Sequence, residues 1–451
     1  MKPLLQNAAC QRQQGAATLI AVMTLFFVMS LVAAYTNRSL IFEQRTSANQ
    51  YRSTQSLEAA DAGLEWAISQ LNYSRVDASC TKSAVVTDTS LRQRYLTINA
   101  VTGNVTPVAN PAGGDLTALC VWTNTAWDCN CPTTGLPAVV APTTPGPKPA
   151  FRVRFRAIGV PQPSAIWVDV VGCTRLGLGA SDPCLSFTGL GELNEGRTVV
   201  TSMVSLAGNA AGLPLAAVTA RAAINLGTSA LSAFNTVSGG SGLALQSGGT
   251  IAGSAMVLRG APGTPAAAST IDSDPALGSG VGQGLVAATP YTTEDRMFAA
   301  VFKGRPTAFE NQQAIFQLTC PLSGCTAAMV RAVVAFNPGR PLWLTGSLIV
   351  DSAGDIGSAA EPVLMVINGD LQHTASGAAI FGLVYVRMAG AAVNWNVSGA
   401  GQISGAVVTD GGITSAVASG PTVVYDPDVL NWVRFNVGSF VRVPGSWRDF
   451  Q

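Results

Sequence analysis

Gly15-Ala16-Ala17-Thr18-Leu19-Ile20-Ala21-Val22-Met23-Thr24-Leu25-Phe26-Phe27-Val28-Met29-Ser30-Leu31-Val32-Ala33-Ala34 decides how this chain begins to fold. The run stays uncharged until Arg38 and has the ~20 residues that a helix needs to cross a hydrocarbon core. Lys2 and Arg12 precede it, so the positive-inside rule leaves the leader in the cytoplasm and sends the rest outward. A secretory signal peptide has a shorter apolar region, about 7–15 residues, followed by a small-residue cleavage site. Here the next residues predict more helix. Thr36 to Asn72 contain no proline and a single glycine, Gly63, and are rich in good helix formers. Leu57, Ala60, Leu64, Ile68 and Leu71 recur at three- and four-residue steps, one face of a 3.6-period helix.

Three spaced blocks go further: Gln14-Gly15-Ala16-Ala17-Thr18-Leu19-Ile20, Ser39-Leu40-Ile41-Phe42-Glu43-Gln44-Arg45 and Leu57-Glu58-Ala59-Ala60-Asp61-Ala62-Gly63-Leu64. Together they resemble the N-terminal region of PilX-type minor pilins, which are type IV pilus assembly proteins with a prepilin leader. The resemblance implies cleavage by a prepilin peptidase between Gly15 and Ala16, and methylation of the new amine. It implies a single-pass inner-membrane protein with its C-terminal region in the periplasm, later moved into a pilus at the cell surface. There Leu19, Ile20, Leu25, Phe26 and Phe27 would pack in the pilus core against other minor and major pilins. One position departs from the pattern. Shaft pilins usually carry a glutamate at the fifth mature position, thought to pair with a neighbour's terminal amine, and here it is Ile20. A carboxylate in apolar surroundings is costly unless paired, so Ile20 removes both a cost and a docking contact. That favours a subunit at the start or tip of a pilus over one added repeatedly along the shaft. The C-terminal stretches 425–430 and 443–450 also resemble the ends of long PilX-like proteins, over a shorter match.

The 451 residues carry formal net charge +1, with 11% charged and 48% hydrophobic side chains. Such a balance argues against an electrostatically driven nucleic-acid binder, which needs a basic excess to release counterions. It also argues against disorder. With 47 glycines and few charges, the composition points to β structure packed on itself.

Of nine cysteines, Cys10 lies in the leader. The other eight, Cys80, Cys120, Cys129, Cys131, Cys173, Cys184, Cys320 and Cys325, are an even set in an exported chain and read as disulfides. Cys320/Cys325 and Cys173/Cys184 look like local staples, and the remaining four are expected to pair among themselves in an order the spacing leaves open. Zinc is the weaker reading, because no CxxC spacing occurs and His373 is the sole histidine. No metal or cofactor is expected.

The expected fold class is an α+β pilin-like region, a long helix plus antiparallel sheet, followed by a mainly-β domain of parallel β-solenoid type. The predicted division is leader 1–15, helix 16–75, disulfide-containing head 76–190 and Gly-rich β domain 191–451, with a helical insertion near 292–317. In the head, Phe151 to Ile158 alternates apolar and basic residues, and Ala165 to Val171 follows a turn, an antiparallel hairpin pattern. The stripe Arg152, Arg154 and Arg156 reads as a solvated strand face. From about 200 to 425, short apolar runs alternate with Gly, Ser and Asn turns, the later ones roughly 20 residues apart. A β-sandwich is the alternative. Val363 to Ile367 is apolar at every position, as for a strand covered on both faces. Thr292 with the following acids reads as a helix start, and the Cys320/Cys325 staple is expected to pin that helix to the β domain.

Some β-solenoids cleave polysaccharides, which needs two carboxylates at a set separation. Asp272, Asp274, Asp351, Asp355, Asp370 and Asp410 are the candidates, but acids beside glycines are more simply turn residues. Asp351 to Asp355 lacks the ligand set of a calcium loop, and His373 reads as a surface or loop residue. The chain is expected to be no enzyme. Two functions stay in play: a minor pilin that initiates or tips a pilus, and a tip adhesin gripping a surface, glycan or partner through the β domain.

Overall fold

The computed structural model describes residues 14–139, 142–143, 146–159, 164–177, 182–187, 196–208, 210, 212–278, 293–387, 392–394, 396–397, 401–415 and 420–449. Residues 1–13 of the leader, Cys10 among them, and Thr292 therefore lie outside the described residues.

A single helix runs Gln14–Leu71, 58 residues, about 87 Å at the usual rise of ~1.5 Å per residue. Its two halves differ. From Ala17 to Tyr51 every side chain is exposed, whereas Ala60, Leu64, Ala67, Ile68 and Leu71 are buried and Leu57 packs half-buried beside them. The face predicted from the three- and four-residue steps is thus the one that meets the head. The contact is close: a methyl group on Gly172 would overlap the Ser56 carbonyl and the Ala60 nitrogen, and one on Gly63 would lie 2.7 Å from Phe151 and Val170. Glycine on both surfaces lets the helix backbone lie almost directly on the sheet.

That sheet has six antiparallel strands, in the order Gly438–Arg442, Arg197–Gly208, Ala165–Cys173, Ala150–Arg156, Thr117–Trp122 and Trp127–Asn130. The predicted hairpin is present, with Ala150 opposite Cys173 and Arg156 opposite Trp167. Phe151, Val153 and Phe155 point into the core shared with the helix. The division at residue 190/191 moves, because Arg197–Gly208 and Gly438–Arg442 complete the head sheet, with Gly438 opposite Gly208. Residues 209–437 are therefore an insertion between two neighbouring strands of the head. Sequence texture could not show this, since the return strand pairs with a partner more than two hundred residues away.

Inside the insertion the strands pair in parallel. Phe316–Thr319, Leu342–Thr345, Val363–Asn368, Ala379–Val386 and Gln402–Thr409 lie side by side in that order. The stack then continues from Val407 to Val218, from Val218 to Leu245 and from Leu245 to Thr270. Leu342, Met365, Val384, Val407, Val218 and Leu245 form one inward column of buried apolar side chains. A smaller parallel sheet, Cys325–Thr326, Leu348–Val350, Leu371–His373 and Asn396–Val397, lies alongside. The chain enters the stack in its middle, at Ala216–Ala220, and climbs to Thr270–Ile271. It reappears at the far end with Phe316 and winds back until Gln402–Thr409 rests on its own entry strand.

Val363 to Ile367 is apolar throughout because both faces are covered. Met365 and Ile367 face the inner column, while Leu364 and Val366 join Trp343, Leu383, Tyr385 and Val408 under the helices Thr293–Phe302 and Pro427–Asn436. The first helix is held there by aromatic packing, with Phe298 5.2 Å from Tyr385 and Phe302 4.7 Å from Phe309. The Cys320–Cys325 disulfide does a different job from the one expected of it. It closes the turn between the first strands of the two parallel sheets. The predicted helical insertion also ends earlier, since Phe316 already begins a strand. The other bonds are Cys80–Cys131, Cys120–Cys129 and Cys173–Cys184.

Candidate functional site

The exposed half of the long helix is a continuous run of uncovered apolar side chains. Leu19, Ile20, Leu25, Phe26 and Phe27 all stand clear of the protein, Phe26 with 72% of its surface in contact with solvent. The span is long and apolar enough to cross a membrane, and none of it is buried within the chain. Its few hydroxyls cost little in an apolar setting, because Thr24 donates to the Ile20 carbonyl and Thr36 to the Val32 carbonyl. Soluble monomers rarely leave a patch of this size bare. Gly15 and Ala16 belong to the helix.

At its other end the helix is tied to the insertion by side chains that the sequence reading missed. Asn72 accepts from the Phe440 N–H at 2.7 Å and donates to the Phe440 carbonyl at 2.8 Å, pairing with the return strand as a backbone would. Arg92 is buried and meets no carboxylate among the described residues. Its guanidinium donates instead to the carbonyls of Leu71, Gly339, Asn436 and Gly438, at 3.2, 3.0, 3.1 and 2.7 Å. One side chain thus joins the end of the helix, a turn of the insertion and the return strand. Burial, followed by the charge of Arg340, lowers its pKa to about 9, so it stays charged at neutral pH. Arg94 donates to the carbonyls of Val76, Asp77 and Cys131. Arg75 reaches Ala335 and Asp88 and pairs with Glu361 at 3.5 Å. A signal was available: Ser90 and Gln93 form a capping box that opens the short helix Leu91–Tyr95 carrying both Arg92 and Arg94.

The arginine stripe of the head is not a free basic face. Arg154 and Arg156 converge on the buried Asp169, at 2.8 and 2.9 Å, and Thr201 donates to the same carboxylate. Burial pushes that carboxyl up, but the hydrogen bonds from Arg156 and Arg154 outweigh it and hold it below its ordinary value. Phe187 lies 4.2 Å from the Arg154 guanidinium.

Three acids of the β domain serve its backbone. Asp351 accepts from the Ala327 N–H, Asp355 from the Ala379 N–H, and Asp274 from Gln246 and the Ala276 N–H. Ser273 donates to Asp272, and the Asp370 N–H is held by Ser347. Asp410 is buried and faces Arg387 at 3.6 Å. His373, expected at the surface, is fully buried in the inner face of Leu371–His373, in register between Val350 and Val397. Neither ring nitrogen has a hydrogen-bond partner among the described residues. Burial lowers its pKa to about 4.

Residues 14–65 match the PilX N-terminal family. No curated protein sequence matches the chain. Among solved structures it is similar to the competence-associated pilin ComZ from Thermus thermophilus. That match has 13% identity, spans 88% of this chain and 97% of the other, and gives a TM-score of 0.23.

Proposed function

Starting from the PilX N-terminal segment at 14–65, we propose that this chain is a minor pilin of a type IV pilus that starts the fibre or sits at its tip. The observation that carries the reading is the helix, bare and apolar over its first half and locked to a folded head over its second. Before assembly that bare half spans the inner membrane, leaving head and insertion in the periplasm. After a prepilin peptidase cuts between Gly15 and Ala16, the same surface packs against the helices of other pilins. Ile20, exposed and uncharged, offers no carboxylate to a subunit already in place, which suits a first or terminal subunit. No catalytic role is assigned, and the insertion is read as a β-solenoid on the strength of its parallel, in-register columns.

Mass spectrometry of the protein taken from sheared pili tests this reading. The expected N-terminus is Ala16, with one methyl group on its amine. An intact Met1, or cleavage after residue 35, would sink it.

Adhesion is the second reading, favoured by the way the head sheet is complete without residues 209–437. Joining Gly208 to Gly438 through a two-residue hairpin turn removes the insertion and keeps every head strand. Pili are expected still to form, with surface attachment lost. Absent pili would give the insertion a part in assembly, and unchanged attachment would end the adhesin reading.

A further inference from the structure

The parallel stack ends on an unfinished coil. Thr270–Ile271 lies in register on Leu245–Gln246, one level beyond the strand Leu243–Ser247. The companion strand on the level of Leu243–Ser247, Ile251–Arg259, is paired among the described residues on one side only, with Ile224–Phe234. After Ile271 the chain turns, with the Ser273 N–H donating to the Gly249 carbonyl and the Asp274 N–H to that of Ser247. It then departs through Pro275–Gly278, whose Leu277 is buried under the outer face of the sheet. Among the described residues no strand continues the stack over Ile251–Arg259.

The side chains record the missing cover. Ile251, Met256 and Leu258 face the core but are only half-buried. Their register partners one level down, Ile224, Leu231 and Ala233, are buried at 0%, 1% and 0% exposure. Edge strands are normally protected by proline, lysine, inward charges, β-bulges or a covering loop; here the register shifts around Gly253 bend only the first half, and Ala255–Arg259 runs in unbroken register with Ala230–Phe234. This one is nine residues long and has neither proline nor lysine, with Arg259 at its very end as its one charge. That guanidinium is exposed, rests 5.1 Å from the Phe234 ring, and meets no carboxylate among the described residues. Beside the strand's other end stands Asp272, exposed and bonded to the Ser273 hydroxyl.

We propose that this edge receives one extended strand of a partner protein, which finishes the coil. The backbone groups that face away from Ile224–Phe234 require a strand as occupant. Ile251, Met256 and Leu258 require apolar side chains on its inward face. The charges at the two ends set its polarity: an acidic side chain opposite Arg259, a basic one near Asp272, and a neutral middle. The proposal concerns the insertion alone and does not depend on the pilus reading.

A random nonapeptide library displayed on phage and panned against the full chain in detergent micelles supplies the probe. Enriched peptides are expected to alternate apolar residues and to carry an acid at the end opposite Arg259. Once synthesised, they should slow amide exchange in Ile251–Arg259 and nowhere else. Arg259→Glu, an exposed change, should weaken such a peptide about 2–5-fold, the scale of a rim ion pair. A second panning on that variant should select a base at the same end. Failure to enrich, protection elsewhere, or an unchanged selection on Arg259→Glu overturns the proposal. So does concentration-dependent protection of Ile251–Arg259 without peptide, which would make a second copy of the chain the occupant.

Discussion

Arg92→Met lowers the stability of the folded chain by about 4 kcal/mol, read as a fall in the melting midpoint in detergent micelles. The figure follows from what the guanidinium leaves behind. The carbonyls of Leu71, Asn436 and Gly438 lose this donor at a largely buried node, while that of Gly339 keeps only the Gly438 N–H at 3.4 Å, and a buried unsatisfied polar group costs about 1–3 kcal/mol. Removing the buried charge offsets part of that cost, because a desolvated cation is itself expensive. Arg92→Lys should recover little. An ammonium has three donors on a point charge, where the planar fork serves four acceptors on three separate segments. An unchanged midpoint in both variants would mean that these segments hold together without the node.

Acidification weakens the insertion through His373. Burial lowers the group's pKa to about 4 when folded, against an ordinary value of 6.5. The unfolded chain therefore binds a proton between those two values that the folded chain refuses, and stability falls as the pH drops. The contribution is complete above about pH 6.5 and lost by about pH 4, a swing of about 3 kcal/mol at ~1.36 kcal/mol per unit. His373→Val matches the valines above and below it in register, so it should flatten the profile over that interval. A wild-type profile equally flat from pH 6.5 to 4 would show that the imidazole reaches water in the folded state.

The helix was legible because its signals are local. An uncharged run of the right length and the recurrence of Leu57, Ala60, Leu64, Ile68 and Leu71 each need only neighbouring residues to be read. The hairpin of Ala150–Arg156 and Ala165–Cys173 was legible for the same reason, through period-two alternation around a turn. What stayed hidden is long-range. The placement of Gly438–Arg442 beside Arg197–Gly208 leaves no periodic mark in either segment. Likewise, Arg92 resembles any surface arginine until the four carbonyls arrive from distant parts of the chain. His373 misled for a related reason. A polar residue after an apolar run reads as a strand end, yet it fills a valine's place in a column that only stacking reveals.

The insertion's two ends also bear on how the protein carries tension. Gly208 and Gly438 are opposite one another on adjacent strands, about 5 Å apart. A pull on the insertion therefore reaches the head along two neighbouring strands at once. Arg197–Gly208 is flanked on its other side by Ala165–Cys173 over nine register pairs. Drawn lengthwise, its ladder is loaded in shear, so its hydrogen bonds must yield together and not one by one. Asn72 grips the shorter strand at Phe440 and hands its share of the load to the end of the long helix. A head built this way can be tugged from outside while its grip on the helix holds.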